Sequence, residues 1–270
     1  MDGIAGNVSG VRADAWVGAL GIDVGSLYVK MVWVRPDGTP VADAREHQGR
    51  PIPVLRAMLA AAEVPAALPI GVTGPLAAVI GDQGVGEMVD SIRAAIRGVR
   101  DACPEVRNIL EVGGGSLARI TIDDAGQLLD YSSNSLCAAG TGSFLDEQAR
   151  RMGLGIEQIE NFEGVQDPPT VATRCAVFAK SDLIHRQQEG YGPEAMWSGL
   201  CRGLVGTILQ TLAGGRDLRG PTLMIGGVSR NPEVQRWLHD RLGEDFRRLT
   251  DAHLLPAIGA ARIAAEGMVE

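Results

Sequence analysis

The segment GIDVGSLYVKMVWVRPDG, residues 21–38, is laid out a second time in LEVGGGSLARITIDDAG, residues 110–126. Each copy reads as an apolar strand ending in an acid-Val-Gly step, then a glycine-serine turn, a second strand and an Asp-containing turn. A third strand follows each, TPVADA and QLLDYSS. Laying the copies side by side puts Asp23 opposite Glu111 and Gly25 opposite Gly113. In the first copy Val29, Met31 and Trp33 alternate with Lys30, Val32 and Val34, so apolar side chains point both ways and the strand is largely buried. The duplication implies two related subdomains, each built on one hairpin and each with an acid at a strand end.

Between and after the hairpins the pattern alternates. LPIGVTG is a short apolar strand ending in glycine. GEMVDSIRAAIRGVR is an amphipathic helix with Met88, Ile92, Ala95 and Val99 on one face. Helical patterns follow from Cys137 to about Met152 and over CAVFAKSDLIHRQQEG, which Gly190 closes. A long helix opens at Pro193 and ends at Gly214-Gly215, with Met196, Leu200, Leu204, Ile208 and Leu212 in one stripe. PTLMIGGVSRN is a strand and a Gly-Gly turn, and two more helices cover PEVQRWLHDRLG and LLPAIGAARIAAEG. No low-complexity linker interrupts the chain, and the arrangement is α/β. The expected division is a loose extension over residues 1–16, a first subdomain over 17–105 completed by the helix 256–270, and a second over 106–255.

Composition narrows the class of function. With 270 residues, 45% of them apolar, there is material for one large or two modest domains. A net charge of −8 argues against a general nucleic-acid or membrane-surface binder. No apolar run is long enough to span a membrane, and the first residues lack the basic and apolar regions of a secretory signal. The four cysteines, Cys103, Cys137, Cys175 and Cys201, are far apart in a chain that reads as cytoplasmic, so disulfides are not expected. There is no CxxC pair and no histidine spacing typical of a metal site.

Three glycine turns are the candidates for chemistry: DVGS, EVGGGS and MIGGVSRN. Glycines let backbone N–H groups converge on a phosphate, and Asp23 and Glu111 would then lie close enough to hold Mg²⁺ directly or through water. Any one turn is ordinary. Three together, two of them led by acids in matching hairpins, favour a nucleotide in a cleft between subdomains. The sequence has no GxxxxGK[ST] and no GxGxxG, which excludes a P-loop and a Rossmann site. Among the thiols, Cys201 sits in the apolar stripe of the long helix and reads as buried and inert. Cys137 and Cys175 each sit where a helix begins, and a helix N-terminus favours thiolates and bound anions. Two thiolates do not complete a cubane iron–sulfur cluster, but two copies of the chain would supply four. Spacing alone favours the plainer alternative of one reactive and one buried thiol.

The motifs GIDVGS, ILEVGGGS, NSLCAAGTGSFLDEQARRMG, RCAVFAKSDLI, MIGGVSRNPEV and LLPAIGAARIA, in this order, cover roughly residues 17–265. In these the chain resembles the ATPases that activate 2-hydroxyacyl-CoA dehydratases and the ATPase subunits of benzoyl-CoA reductase. The cysteine segments are specific to that family. The glycine turns belong to the wider superfamily of actin, Hsp70 and sugar kinases. The resemblance implies two actin-like (ribonuclease H-like) subdomains with ATP in the cleft, and a homodimer with one [4Fe–4S] cluster held by Cys137 and Cys175 of both chains. It implies that ATP binding and hydrolysis drive a low-potential electron to a partner iron–sulfur dehydratase or reductase. On this reading Asp23 and Glu111 handle Mg²⁺ and the attacking water. Gly25, Ser26, Lys30, Gly113, Gly114 and Gly115 contact phosphates, and Gly226, Gly227 and Asn231 lie near the adenosine. The sequence departs from the family at the second hairpin, where EVGGGS replaces an Asp-Ile-Gly-Gly-Gln-Asp motif, so Glu111 stands for the first acid and Ser116 for the second. Two alternatives stay open: a small-molecule kinase of the same superfamily, and a nucleotide-binding subunit that does not hydrolyse.

Overall fold

The computed structural model describes residues 17–134, 141–213 and 218–267. The chain opens with strands β1 (Leu20–Val24), β2 (Tyr28–Val34) and β3 (Pro40–Glu46), joined as an antiparallel meander. Helix α1 (Pro51–Ala61) leads to β4 (Ile70–Thr73), which pairs in parallel with β1. Helix α2 (Ala77–Gly81), strand β5 (Glu87–Met88) and helix α3 (Ser91–Ala102) follow. The sheet runs β3-β2-β1-β4-β5.

The same construction starts again. Strands β6 (Asn108–Val112), β7 (Leu117–Ile122) and β8 (Leu128–Asn134) form a second antiparallel meander. Helices α4 (Gly142–Met152), α5 (Ile156–Glu160), α6 (Ala176–Gln188) and α7 (Pro193–Ala213) lead to β9 (Thr222–Ile225), which pairs in parallel with β6. Helix α8 (Pro232–Leu242), strand β10 (Phe246–Arg247) and helix α9 (Leu255–Glu266) complete the chain. This sheet runs β8-β7-β6-β9-β10, the order of the first sheet repeated. The hairpin duplication therefore extends to the whole layout: a meander, then a parallel strand beside its first strand.

By contacts the chain falls into two units. Among the described residues, one takes 17–106, 124–127 and 249–267, and the other takes 107–123 and those of 128–248. In the first unit β2 is buried along almost its whole length, as its two-sided apolar pattern requires. Helix α9 lies on β1, β4 and α3. The approach is so close that a Cβ at Gly21 would fall 1.8 Å from the Ala257 carbonyl oxygen, and one at Gly71 would fall 2.1 Å from that of Ala260. In the second unit Met196, Leu200, Leu204, Ile208 and Leu212 on α7 are all buried and pack with Phe144, Met224, Val234 and Leu238. Each such side chain withdrawn from water contributes roughly 1.5–3 kcal/mol.

Two helix starts differ from the sequence reading. The helix expected from Cys137 to about Met152 is α4, which starts at Gly142 because Thr141 before it is extended, with φ −122° and ψ 162°. The segment from Gly86 begins not as a helix but as the short strand β5, and Met88 is exposed. Asp90 decides this, because its side chain accepts from the N–H groups of Ile92 and Arg93 and so caps α3 two residues beyond Met88. Among the described residues no helix is long and apolar enough to cross a membrane.

Candidate functional site

The turn between β1 and β2 closes through the Gly25 N–H, which donates to the Tyr28 carbonyl at 2.9 Å. Two of its other carbonyls are taken by one residue. The His47 backbone N–H donates to the Leu27 carbonyl at 2.9 Å, and the ring Nε2 lies 3.0 Å from the Gly25 carbonyl oxygen. The ring Nδ1 accepts from the Gly49 N–H at 3.1 Å, so the proton of a neutral imidazole is on Nε2, which donates to Gly25. His47 is buried. With the Gly25, Leu27 and Tyr28 carbonyls held, the turn leaves the Ser26 and Leu27 N–H groups without an acceptor among the described residues.

Asp23 sits at the end of β1 in register with Lys30 on β2 and Thr73 on β4. Lys30 Nζ lies 2.7 Å from Asp23 Oδ2, and both side chains are about nine-tenths buried. The sequence reading gave Asp23 to Mg²⁺ and Lys30 to phosphate, whereas the structure pairs the two. The pair leaves Asp23 Oδ1 and two of the three ammonium protons for other partners. Thr73 is fully buried and its hydroxyl has no hydrogen-bond partner among the described residues. Gly74 then passes so close that a Cβ there would meet Asp23 Oδ1 at 2.5 Å and the Val24 carbonyl oxygen at 2.6 Å.

The turn after β6 follows the same plan. Gly113 donates its N–H to the Ser116 carbonyl at 2.9 Å. Here the other carbonyls are held by a helix: the Gly142 N–H donates to Gly113 at 2.8 Å and the Ser143 N–H to Gly114 at 3.0 Å, both from the first turn of α4. Glu111 stands in register with Ala118 and Ile225, neither of them charged. Gly226 takes the place of Gly74. At φ 87° and ψ 178° it occupies a region almost reserved for glycine, and a Cβ there would lie 2.5 Å from the Val112 carbonyl oxygen. Gly227 begins a short 3₁₀ turn, Gly227–Arg230. Asn231 is buried, and its Oδ1 accepts from the Glu233 and Val234 N–H groups at 3.0 and 3.2 Å. Its side chain is thus the N-cap of α8.

Of the two candidate cluster ligands, Cys137 lies outside the described residues. Cys175 is the N-cap residue of α6 and is half-buried, and among the described residues no side chain caps the helix. The orphan N–H groups of the first turn therefore lie beside its thiol. Val177 and Phe178 in that turn are both 68% exposed, an unusual place for two large apolar side chains. Glu147 on α4 and Lys180 on α6 form an ion pair of 2.7 Å that ties together the helices following the two cysteine segments. Lys180 beside it holds the Glu147 carboxyl below the usual carboxylate range. Cys201 is fully buried in α7, and burial pushes its thiol well up, as expected for an inert core cysteine. Among the described residues no group of three or more His, Cys, Asp or Glu is arranged to hold a metal ion.

Sequence reasoning missed His47 and Thr73. His47 had one local signal: it stands between a strand and a Gln-Gly pair, where a tight turn can fold back onto the strand end.

The comparisons agree with this geometry. The chain is 33% identical over 166 residues to the Escherichia coli protein YjiL, a match spanning 62% of this chain and 65% of YjiL. It is 27% identical over 182 residues to the 2-hydroxyisocaproyl-CoA dehydratase activator of Clostridioides difficile, spanning 66% of this chain and 67% of the activator. The fold matches that of component A of (R)-2-hydroxyglutaryl-CoA dehydratase from Acidaminococcus fermentans with a TM-score of 0.83 at 22% identity, covering 94% of this chain and 100% of the other. The two repeated sheets are those of the actin-like ATPase fold. Residues 20–264 match the BadF/BadG/BcrA/BcrD ATPase family, and the chain belongs to it.

Proposed function

We propose that the protein is an ATP-dependent activator that passes low-potential electrons to a partner iron–sulfur acyl-CoA dehydratase or reductase. The observation that carries this is the head of α6. There Cys175 sits at an uncapped helix N-terminus beside the exposed pair Val177 and Phe178. The free N–H groups suit an anionic thiolate-bound cluster, and the apolar pair suits burial against a second copy of the chain. Cys137 and Cys175 of two copies would give the four thiolates of a [4Fe–4S] cluster. When bound, that cluster supplies a one-electron reductant.

The protein's own groups do the rest. The N–H groups of Ser26 and Leu27 and the Gly113–Gly115 turn would receive phosphate oxygens. Lys30 keeps protons for the same oxygens while neutralising Asp23. Asp23 Oδ1 and Glu111 would orient the water shell of Mg²⁺. Because the N–H groups of α4 hold the Gly113 and Gly114 carbonyls, a shift of that turn on nucleotide binding is passed to α4, which Glu147–Lys180 ties to α6. Gly226 and Gly227 would border the adenosine, with Asn231 setting the direction of α8.

Purification without oxygen, followed by iron analysis and an absorbance spectrum, tests the reading. A brown protein with about four irons per dimer is expected. Cys175→Ser should lose the iron and keep MgATP binding. A colourless, iron-free protein with intact thiols overturns the reading. A second reading, a subunit that binds nucleotide without hydrolysing it, is favoured by the Asp23–Lys30 pair and by Ser116 in place of an acid. ATP binding with no turnover, even beside a reduced partner, would decide for it.

A further inference from the structure

The geometry points to His47 as a positioning residue for nucleotide, acting through the turn Gly25–Tyr28. The inference rests on the reading of that turn as a phosphate-binding one. A tight turn binds an anion through N–H groups that point outward, and hydrogen bonds to its carbonyls fix it in that arrangement. His47 holds two of them, Leu27 through its backbone and Gly25 through Nε2. The ring is oriented in turn by the Gly49 N–H on Nδ1.

The backbone shows that this grip has a cost. The Arg50 N–H donates to the His47 carbonyl at 2.7 Å, closing a turn in which Gln48 has φ 46° and Gly49 φ 79°. A left-handed glutamine is unfavourable, and here it brings the Gly49 N–H under the ring. Burial excludes a solvent-facing role for the imidazole. Its two nitrogens do different work: Nδ1 fixes the ring, and Nε2 fixes the nucleotide turn.

The amides of Asn and Gln separate these two jobs. An Asn amide nitrogen or oxygen reaches about where Nδ1 lies, and a Gln amide about where Nε2 lies. The full chain, titrated with MgATP by calorimetry, should show His47→Gln binding within about threefold of the wild type. His47→Asn and His47→Leu should each weaken binding about tenfold, the loss of about one hydrogen bond's worth of positioning. Both will also lower the melting temperature. Met58→Ala, which opens a cavity in the core of the same unit, gives the control: comparable loss of melting temperature with MgATP affinity kept. Equal affinity in all three His47 variants, or a loss that follows melting temperature in Met58→Ala as well, overturns the inference. A wild type that binds no nucleotide overturns instead the reading of the turn on which it rests.

Discussion

The turn after Asp23 and the turn after Glu111 have one hydrogen-bond plan and two different supports. In both, the glycine after the acid-Val step donates to the residue three positions on, and a glycine at the end of the neighbouring parallel strand presses on the valine carbonyl. The first turn is held by the buried imidazole of His47, just after β3, the second by the N-terminus of α4. The acids differ likewise. Asp23 is flanked by a cation and a buried hydroxyl, Glu111 by Ala118 and Ile225. Backbone plan is what duplication preserves, because strand pairing and close approach leave it little freedom. Side-chain support can diverge, and here it gives the first turn a local, fixed anchor. The second turn is anchored by the helix that leads on from the Cys137 segment. If the proposed function holds, the first turn is the locally fixed one and the second is the one joined to α4, which the Glu147–Lys180 pair links to α6.

The largest expected effect breaks the asymmetry of the acids. Asp23→Ala leaves the Lys30 ammonium buried without its counter-ion and should cost about 3–4 kcal/mol. Glu111→Ala, at a position only half-buried, should cost less than half of that. Because the two units can unfold in separate steps, hydrogen exchange resolved by peptide is the suitable measurement. Equal losses would mean that Lys30 does not define the difference. The next effect tests what the hairpins share. Gly226→Ala and Gly74→Ala each place a Cβ about 2.5 Å from an oxygen atom at positive φ, and each should cost about 3 kcal/mol in its own unit. One variant tolerated and the other not would show that the shared plan is only apparent.

Much of this was legible in the sequence, for identifiable reasons. Strand pattern and turn glycines announced both hairpins, and the stripe from Met196 to Leu212 announced α7, because periodicity reports burial directly. The order of the sheets and the pairing of β1 with β4 were not visible, since parallel pairing joins distant segments. Lys30 was assigned to phosphate, and its pairing with Asp23 went unread because register was not considered. Yet a turn closed between Gly25 and Tyr28 forces Asp23 opposite Lys30. Asn231 was assigned to adenosine, and its role as the N-cap of α8 went unread although Asn-Pro-Glu before an apolar run is an N-cap signature. His47 stayed hidden because its function depends on a left-handed Gln48, which sequence does not announce.

The smallest expected effect lies at the far end of the second hairpin's support. Lys180 and Glu147 are each more than a third exposed, so water and salt screen their attraction. Glu147 nevertheless has its carboxyl held below the usual range, first by the Lys180 hydrogen bond. A carboxyl whose folded pKa is depressed adds stability above its unfolded pKa and loses it as pH falls through the folded value. Lys180→Ala should therefore lower the stability of the second unit slightly at pH 7. The difference from wild type should shrink toward zero below the carboxylate range, and again in 1 M salt. MgATP affinity should stay unchanged, because the contacts of α4 with Gly113 and Gly114 are made by its backbone. If the second turn is tied to α6 through this pair, however, removing it should uncouple the two helices. In a chain loaded with iron, nucleotide would then change the cluster's spectrum less than in the wild type, although stability hardly moves. A large stability loss with the spectral response intact would assign the pair to simple packing, and the second hairpin would be anchored as locally as the first.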